Sequence, residues 1–210
     1  MPTYFHFWYD NPHRPNDEVI FNGQLESHRC SYIMSNRQRC KRRCIIGLPC
    51  CHSHLPVKYH IEVKTSLIPH SGKGLFAKDK TRPAGAIIFR KGDAICPYDG
   101  ELIDQATLDR RYGPRQPDNP QDELTAPYAV GVNRGKYEDA ALRRGVGSLI
   151  NHRPERLCNC RLGNPNRQNH ISIKAKRDIR NGEELYVNYG AVYRLHTPYL
   201  HYDTNHRKYY

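Results

Sequence analysis

The chain has 210 residues, with 33 Lys and Arg against 21 Asp and Glu, for a formal net charge of +12. That length suits one ordinary domain plus an appendage, with ample chain for a hydrophobic core; with 38% hydrophobic residues and a mean hydropathy of −0.83, parts of it are expected to be irregular or solvated. No apolar run approaches ~18 residues, which excludes a transmembrane helix, and the aromatic start from Met1 to Asp10 lacks the basic-then-apolar layout of a signal peptide.

Residues 1–29 carry Tyr4, Phe5, Phe7, Trp8 and Tyr9, then a polar stretch with no sustained period, and read as an arm packing on the body. The next segment holds five of the eight cysteines, between Cys30 and Cys51, followed at once by His52 and His54. Without a secretory signal, thiols mixed with imidazoles read as a metal site rather than a disulfide framework. Zinc takes four tetrahedral ligands, and a Cys-x-x-His pair lets one turn supply two of them. Cys51 and His54 form such a pair, and Cys30 and Cys40 complete a Cys₃His set. Cys44 in place of Cys40, or His52 in place of His54, gives alternative quartets; free thiols on a basic loop are the plainer alternative.

The stretch from Cys30 to Leu55 resembles a small zinc-knuckle-like module found beside other domains, and the resemblance gives Cys50 a non-ligand position. From Ser27 to Ile61 there are seven basic residues (Arg29, Arg37, Arg39, Lys41, Arg42, Arg43 and Lys58) and no acidic one. Such a stripe, residues 29–58, suits a nucleic-acid, nucleosome or acidic-protein contact, with a merely solvated face as the alternative.

From Val57 the pattern changes. Val57, Tyr59, Ile61 and Val63 alternate with polar residues and predict a strand with one buried face. Further short strands are expected at Ala86–Phe89, Ala94–Tyr98, Tyr128–Val132, Ile171–Ala175 and Glu184–Tyr189, with one short helix at Ile103–Tyr112. The four prolines between Gly113 and Pro127 mark a loop or insert. Short strands broken by Gly and Pro turns predict a mostly β domain, not an alternating βαβ sheet, and no repeat suggests a solenoid.

Four separated stretches carry the chemistry: Gly72 to Ala77; Tyr98 to Ile103; Gly147 to His152 with Leu157 to Cys160 behind it; and Ile179 to Gly190. Singly they read as a turn, a polar loop and a hairpin. The glycine pair Gly72 and Gly74 is no dinucleotide fingerprint, since the third glycine is missing and no long helix follows. In their joint order, G-x-G-hydrophobic-x-Ala, Y-x-G-E-L-I, I-N-H and I-x-x-G-E-E-L-x-x-x-Y-G, they resemble the SET domain of protein lysine methyltransferases over Val57 to Gly190.

The resemblance implies a SET fold of short strands with few short helices and a pseudoknot, an exception to the usual absence of threaded chains. It implies domains at 30–55 (zinc module) and 57–190 (SET), flanked by the arm and by a Tyr-rich segment, 191–210, that completes the site. It further implies S-adenosylmethionine held by Lys73, Gly74 and Leu75 and by Asn151 and His152, a catalytic Tyr189, Tyr98 lining the lysine channel, and Asn159 at the family's following asparagine. Departures are Arg153 and Pro154 after His152, Ser148 at a commonly basic position, Val187 two residues before Tyr189, and no cysteine after Cys160. The missing cysteines remove the family's zinc cap on the channel. The Tyr-rich segment is expected to replace it, with Tyr193 against the adenine, and zinc is then structural only. Cys158 and Cys160 read as buried or free thiols.

The function implied is methyl transfer to a lysine amine of a histone or another protein. The competing reading is a SET-like scaffold that has lost catalysis and binds through its basic module. Cysteine usage points to a reducing intracellular compartment, and a histone substrate to a nucleus, that of a host if the chain is viral. The compact arrangement is similar to SET proteins of large DNA viruses or protists.

Overall fold

The computed structural model describes residues 28–44, 48–69, 71–112, 128–141 and 145–190, plus the backbone of four outlying strands. Of these outliers, β1 (Phe5–Trp8) and β2 (Glu18–Phe21) pair antiparallel, and Tyr202–Asp203 pairs with Lys208–Tyr209. The arm thus contains strand where no period was legible. Tyr193 and the adjoining residues 191–201 lie outside the described residues.

Residues 28–44 double back on themselves, with antiparallel bridges Arg29↔Arg43 and Ile33↔Arg39 around a turn at Met34–Arg37. Past Cys51, the N–H groups of His54 and Leu55 both donate to the Cys51 carbonyl, and this turn runs directly into α1 (Leu55–Tyr59). Pro56 suits the first helical turn, where no N–H is needed, and His60, in the left-handed region at φ 52°, ends the helix. The strand expected from Val57 therefore begins only at β3 (Ile61–Thr65). The backbone turn at Cys51 overrides the alternation, leaving Val57 49% exposed.

β4 (Lys73–Ala77) pairs antiparallel with β3, from Ile61↔Ala77 to Thr65↔Lys73. Its other edge is also paired: Ala77 N–H donates to the Glu183 carbonyl at 2.8 Å, and Leu185 N–H to the Leu75 carbonyl at 2.7 Å. With both edges bonded, the glycine-containing stretch is a central strand rather than the plain turn it resembles in isolation.

The chain continues through β5 (Ile87–Phe89), β6 (Ala94–Pro97), β7 (Glu101–Asp104), α2 (Gln105–Tyr112), β8 (Ala129–Asn133) and β9 (Lys136–Asp139). A 3₁₀ turn at Val146–Leu149 leads to β10 (Asn151–His152); β11 (Cys160–Leu162), β12 (Ser172–Ala175), β13 (Ile179–Arg180) and β14 (Tyr186–Val187) complete the body. Sheet orders are β7-β9-β8 and β11-β12-β6, with separate pairs β3–β4, β5–β13 and β10–β14. The last pair is parallel, Asn151↔Tyr186 and His152↔Val187; the expectation of a pseudoknot falls on this crossing. The fold is mostly β with few short helices, as the sequence predicts. Ile61, Leu75, Ile150, Ile173, Ile179 and Leu185 are fully buried where the small sheets meet, each contributing about 1.5–3 kcal/mol.

Buried polar groups hold the loops. Asn181 donates from Nδ2 to the carbonyls of Asp79, Arg82 and Pro83 and accepts from the Asp79 N–H. Glu138, with no exposed surface, accepts from the N–H groups of Gly100 and Ile171 and contacts His170 Nδ1 at 2.8 Å. Arg111 of α2 reaches Asp139 at 2.6 Å and Glu101 at 2.7 Å. Because Asp139 is wholly buried, Arg111→Ala leaves its carboxylate without the guanidinium. Equilibrium denaturation of that variant should show a loss of roughly 3 kcal/mol.

Candidate functional site

Two constellations stand out among the described residues. In the first, one ligand atom each from Cys30, Cys40, Cys51 and His54 lies within 4.8 Å of the others. His54 Nδ1 is 3.5 Å from Cys30 Sγ and 3.3 Å from Cys51 Sγ, close to the edge of roughly 3.5–3.8 Å that tetrahedral zinc bonds of ~2.0–2.3 Å require. The donor set fits zinc. Stacking on Tyr32, with ring centroids 4.1 Å apart, fixes the His54 ring. Burial opposes ionisation of Cys30, but the N–H groups of Cys51 and Tyr32 and the His54 and Cys51 side chains outweigh it and hold its thiol down to about 6.

Of the alternatives open in the sequence, Cys44 is buried outside the set, its thiol pushed up to about 12 by burial and by the neighbouring cysteines. His52 is exposed and also outside it, and Cys50 Sγ sits 3.6 Å from Ser31 Oγ. Cys158 and Cys160 are both buried.

The second constellation is a narrow cavity of about 50 Å³ whose walls include Tyr98, Tyr128, Ile150, Leu162, Val187 and Tyr189. Tyr98 follows β6 and is 6% exposed; its hydroxyl donates to the Tyr128 carbonyl at 2.8 Å. The Tyr189 hydroxyl donates to the Ile150 carbonyl at 2.5 Å. Burial, and after it the neighbouring Tyr189, Asp139 and Glu138, push the Tyr98 phenol well above its ordinary range, so it stays protonated. A hydroxyl whose proton is committed to a carbonyl offers only oxygen lone pairs to anything else. Both tyrosines therefore present acceptors to the cavity. The turn at Val146–Leu149 closes the floor, where a Cβ on Gly147 would sit 2.8 Å from the Pro97 carbonyl oxygen.

Beside the cavity, β10 abuts β4. Asn151 donates from Nδ2 to the Lys73 carbonyl at 3.1 Å and to Glu184 Oε1 at 3.3 Å. Two oxygens facing Nδ2 settle the amide orientation and leave the Asn151 carbonyl as the end for a ligand. A side chain at Gly74 would bring Cβ to 2.2 Å from Glu184 Oε1 and 3.0 Å from Asn151 Nδ2, so only glycine lets these segments meet. Lys73 is exposed and nothing crowds Gly72 within 4 Å, while Leu75 is buried. The His152 Nδ1 accepts the Tyr189 N–H at 3.0 Å, and burial holds its pKa below the ordinary value. A neutral ring accepting at Nδ1 carries its proton on Nε2. Arg153, a departure from the SET pattern, lies with its guanidinium 4.4 Å from the Tyr186 ring centroid, and its N–H donates to the Val187 carbonyl.

Sequence reasoning left two residues without a role. Glu184 is 3% exposed and accepts, besides Asn151, the Ser66 hydroxyl, the Leu67 N–H and the Tyr186 hydroxyl, each at 2.7 Å. Tyr128 lines the cavity and supplies the carbonyl for Tyr98. An acidic pair, Glu183 and Glu184, just ahead of the apolar run 185–187 was the available signal for Glu184; nothing marks Tyr128, which follows the proline-rich insert. Asn159, 2% exposed, donates to the Glu184 carbonyl and accepts from the Tyr186 N–H.

A family model described as SET domain matches residues 72–190, more than half of the chain. The chain is 33% identical over 132 residues to the N-lysine methyltransferase KMT5A-A of Xenopus laevis, covering 61% of this chain and 36% of that protein. It is 28% identical over 152 residues to a histone-lysine N-methyltransferase, H3 lysine-36 specific, of Aspergillus oryzae, covering 72% and 14%. To the variant-silencing SET domain-containing protein of Plasmodium falciparum it is 23% identical over 183 residues, covering 82% and 7%. The chain thus spans about a third or less of the length of these relatives. Among the described residues no helix is long and apolar enough to cross a membrane.

Two outcomes follow from this geometry. Zinc content measured by elemental analysis should fall in Cys40→Ser and Cys51→Ser and stay unchanged in Cys44→Ser; loss in the last would put Cys44 in the quartet. His152, with a folded pKa below its unfolded value of ~6.5, contributes stability that is fully present above that value and is lost as pH falls toward the folded pKa. Thermal melting should therefore drop more steeply from about pH 7.5 to about pH 5.5 in the wild type than in His152→Gln.

Proposed function

The chain belongs to the SET-domain family, and from that membership and the slot between Tyr98 and Tyr189 we propose that it transfers a methyl group from S-adenosylmethionine to the side-chain amine of a protein lysine. The carrying observation is that both tyrosine hydroxyls donate to main-chain carbonyls, Tyr128 and Ile150. Their oxygens are thereby left to accept from an amine N–H and from methyl C–H bonds.

The residues beside the slot fit the methyl donor. The start of β4 is open at Gly72 and Lys73, and the Asn151 amide turns its carbonyl away from Lys73 and Glu184. Lys73, Gly74, Leu75, Asn151 and His152 would hold it. When bound, S-adenosylmethionine supplies an electrophilic methyl carbon whose S–C bond breaks as the lysine Nε–C bond forms, leaving a neutral thioether. The chain's part is alignment and desolvation. Ile150, Leu162, Val187 and the tyrosine rings disfavour an ammonium and lower the lysine pKa. Tyr189 and Tyr98 orient the neutral amine, and His152 positions Tyr189 through its backbone N–H. Holding two reactants in line is worth up to ~7–11 kcal/mol. Zinc at Cys30, Cys40, Cys51 and His54 is structural and takes no part in the transfer.

A histone tail is the substrate we favour, supported by relatives named as histone-lysine and N-lysine methyltransferases, and it places the work in a nucleus. The basic segment 29–58 serves as a contact for chromatin. The division of labour is an arm at 1–29, a zinc module at 30–55, the SET domain at 57–190 and a segment at 191–210 that closes the site, with Tyr193 against the adenine.

Labelled-methyl transfer onto core histones tests the reading. Tyr189→Phe should lower turnover on the order of 100-fold while titration calorimetry shows the methyl donor still bound, and a chain ending at residue 191 should lose transfer with its β core intact. No transfer by the wild type onto any protein or peptide pool would overturn the reading in favour of a non-catalytic scaffold.

A further inference from the structure

Ser148, at a position where the SET pattern commonly has a basic residue, lines the same cavity as Tyr98 and Tyr189. It belongs to the 3₁₀ turn at Val146–Leu149. Its hydroxyl donates to the Gly145 carbonyl at 2.8 Å, and its N–H reaches the same carbonyl at 3.2 Å. With the proton committed there, the Ser148 oxygen offers lone pairs to anything else, as the Tyr98 oxygen does. The turn is packed directly on the Tyr98 backbone. A Cβ on Gly145 would lie 2.1 Å from the Tyr98 carbonyl oxygen, and one on Gly147 3.0 Å from the Tyr98 Cα. Two glycines thus seat Ser148 beside Tyr98.

The size of the cavity bears on what can react in it. At ~10–15 Å³ for each water-sized group, about 50 Å³ seats about four such groups. That is room for the last two carbons of a lysine side chain, its nitrogen and one methyl carbon.

We propose that Ser148 sets the extent of the reaction, holding the product at monomethyl-lysine. The proposal deepens the reading of the slot as a lysine site and rests on it. In the first transfer the neutral amine aims its lone pair at the methyl carbon and its two N–H bonds at oxygen lone pairs. The S–C bond breaks as the N–C bond forms, the thioether leaves neutral, and the nitrogen takes the positive charge. A second transfer requires this N-methylammonium to release a proton to water and turn its regained lone pair toward a fresh methyl group. One N–H has then been replaced by a methyl. An oxygen of Tyr98 or Ser148 is left with a C–H contact where it had an N–H donor, a weak substitute. A fifth group must also enter a space with room for about four. Removing the Ser148 oxygen relieves both constraints, since it deletes one acceptor and frees the space of one atom.

The test is mass spectrometry of core histones after exhaustive incubation with the full zinc-loaded chain and excess S-adenosylmethionine. The wild type should stop at monomethyl-lysine on every site it modifies. Ser148→Ala should carry the same sites on to dimethyl-lysine, raising the ratio of dimethyl to monomethyl product roughly tenfold or more. Titration calorimetry should show the methyl donor bound to this variant as to the wild type, which excludes misfolding. Ser148→Thr keeps the hydroxyl and should stop at monomethyl-lysine, an outcome that a purely structural role for the turn does not predict. Dimethyl- or trimethyl-lysine as the main wild-type product, an unchanged product ratio in Ser148→Ala, or a Ser148→Thr that behaves like Ser148→Ala would overturn the proposal and leave methyl transfer itself standing. Absence of any transfer by the wild type would instead overturn the catalytic reading, and this proposal with it.

Discussion

The Glu184 carboxylate is buried and accepts from Ser66, Leu67, Asn151 and Tyr186, four groups that reach it from three separate parts of the chain. Hydrogen bonds to a charged group contribute about 1.5–3 kcal/mol each, and a buried acceptor that loses its donors costs more than the bond it made. The loop after β3, the Asn151 end of β10 and the ring of Tyr186 are therefore held in one arrangement. Asn159 fixes the backbone on either side of the carboxylate. Tyr186 and Val187 in turn pair with Asn151 and His152, and His152 carries the backbone of Tyr189. The surface proposed for the methyl donor and the cavity beside it are thus both tied to the six-residue stretch from Glu184 to Tyr189.

The family was legible because its pattern lies in the order of four stretches, each short and each carrying residues whose backbone or hydroxyl has a defined place. Local structure was less legible where tertiary bonding decides it. Gly72 to Ala77 reads as a turn from its glycines, yet bonds on both edges make it a strand. Val57 to His60 reads as strand from its alternation, yet the turn begun by Cys51 carries through Pro56 as helix. The metal quartet was open between Cys40 and Cys44 and between His52 and His54 because spacing limits which ligands can meet without choosing among them. The folding back of residues 29–43 brings Cys40 to Cys30, and the turn at Cys51 brings His54 to the same point. Tyr128 was invisible for a different reason: its contribution is a main-chain carbonyl, which side-chain chemistry does not encode.

Charge counts misjudge the zinc module. Of its basic residues, Arg29 and Arg39 bond main-chain carbonyls across the fold and Arg42 bonds Ser53. Guanidinium groups used this way are structural pins that keep their charge. In so small a module, with a modest apolar interior, planar forks that satisfy several carbonyls at once take over work that side-chain packing does in larger folds.

Among the described residues, the cavity beneath Tyr98 and Tyr189 has a lining of tyrosine, aliphatic, serine and glycine residues, with no carboxylate or imidazole. On the proposed reaction, none of these described side chains can strip an ammonium of its proton at neutral pH: the phenols are themselves donors, and that of Tyr98 is held protonated by burial. With that lining, proton removal falls to bulk water at the entrance, before the side chain is enclosed. On the proposed reaction such a lining acts as a sieve that admits one ionisation state of the substrate amine, so turnover would track the acidity of the substrate.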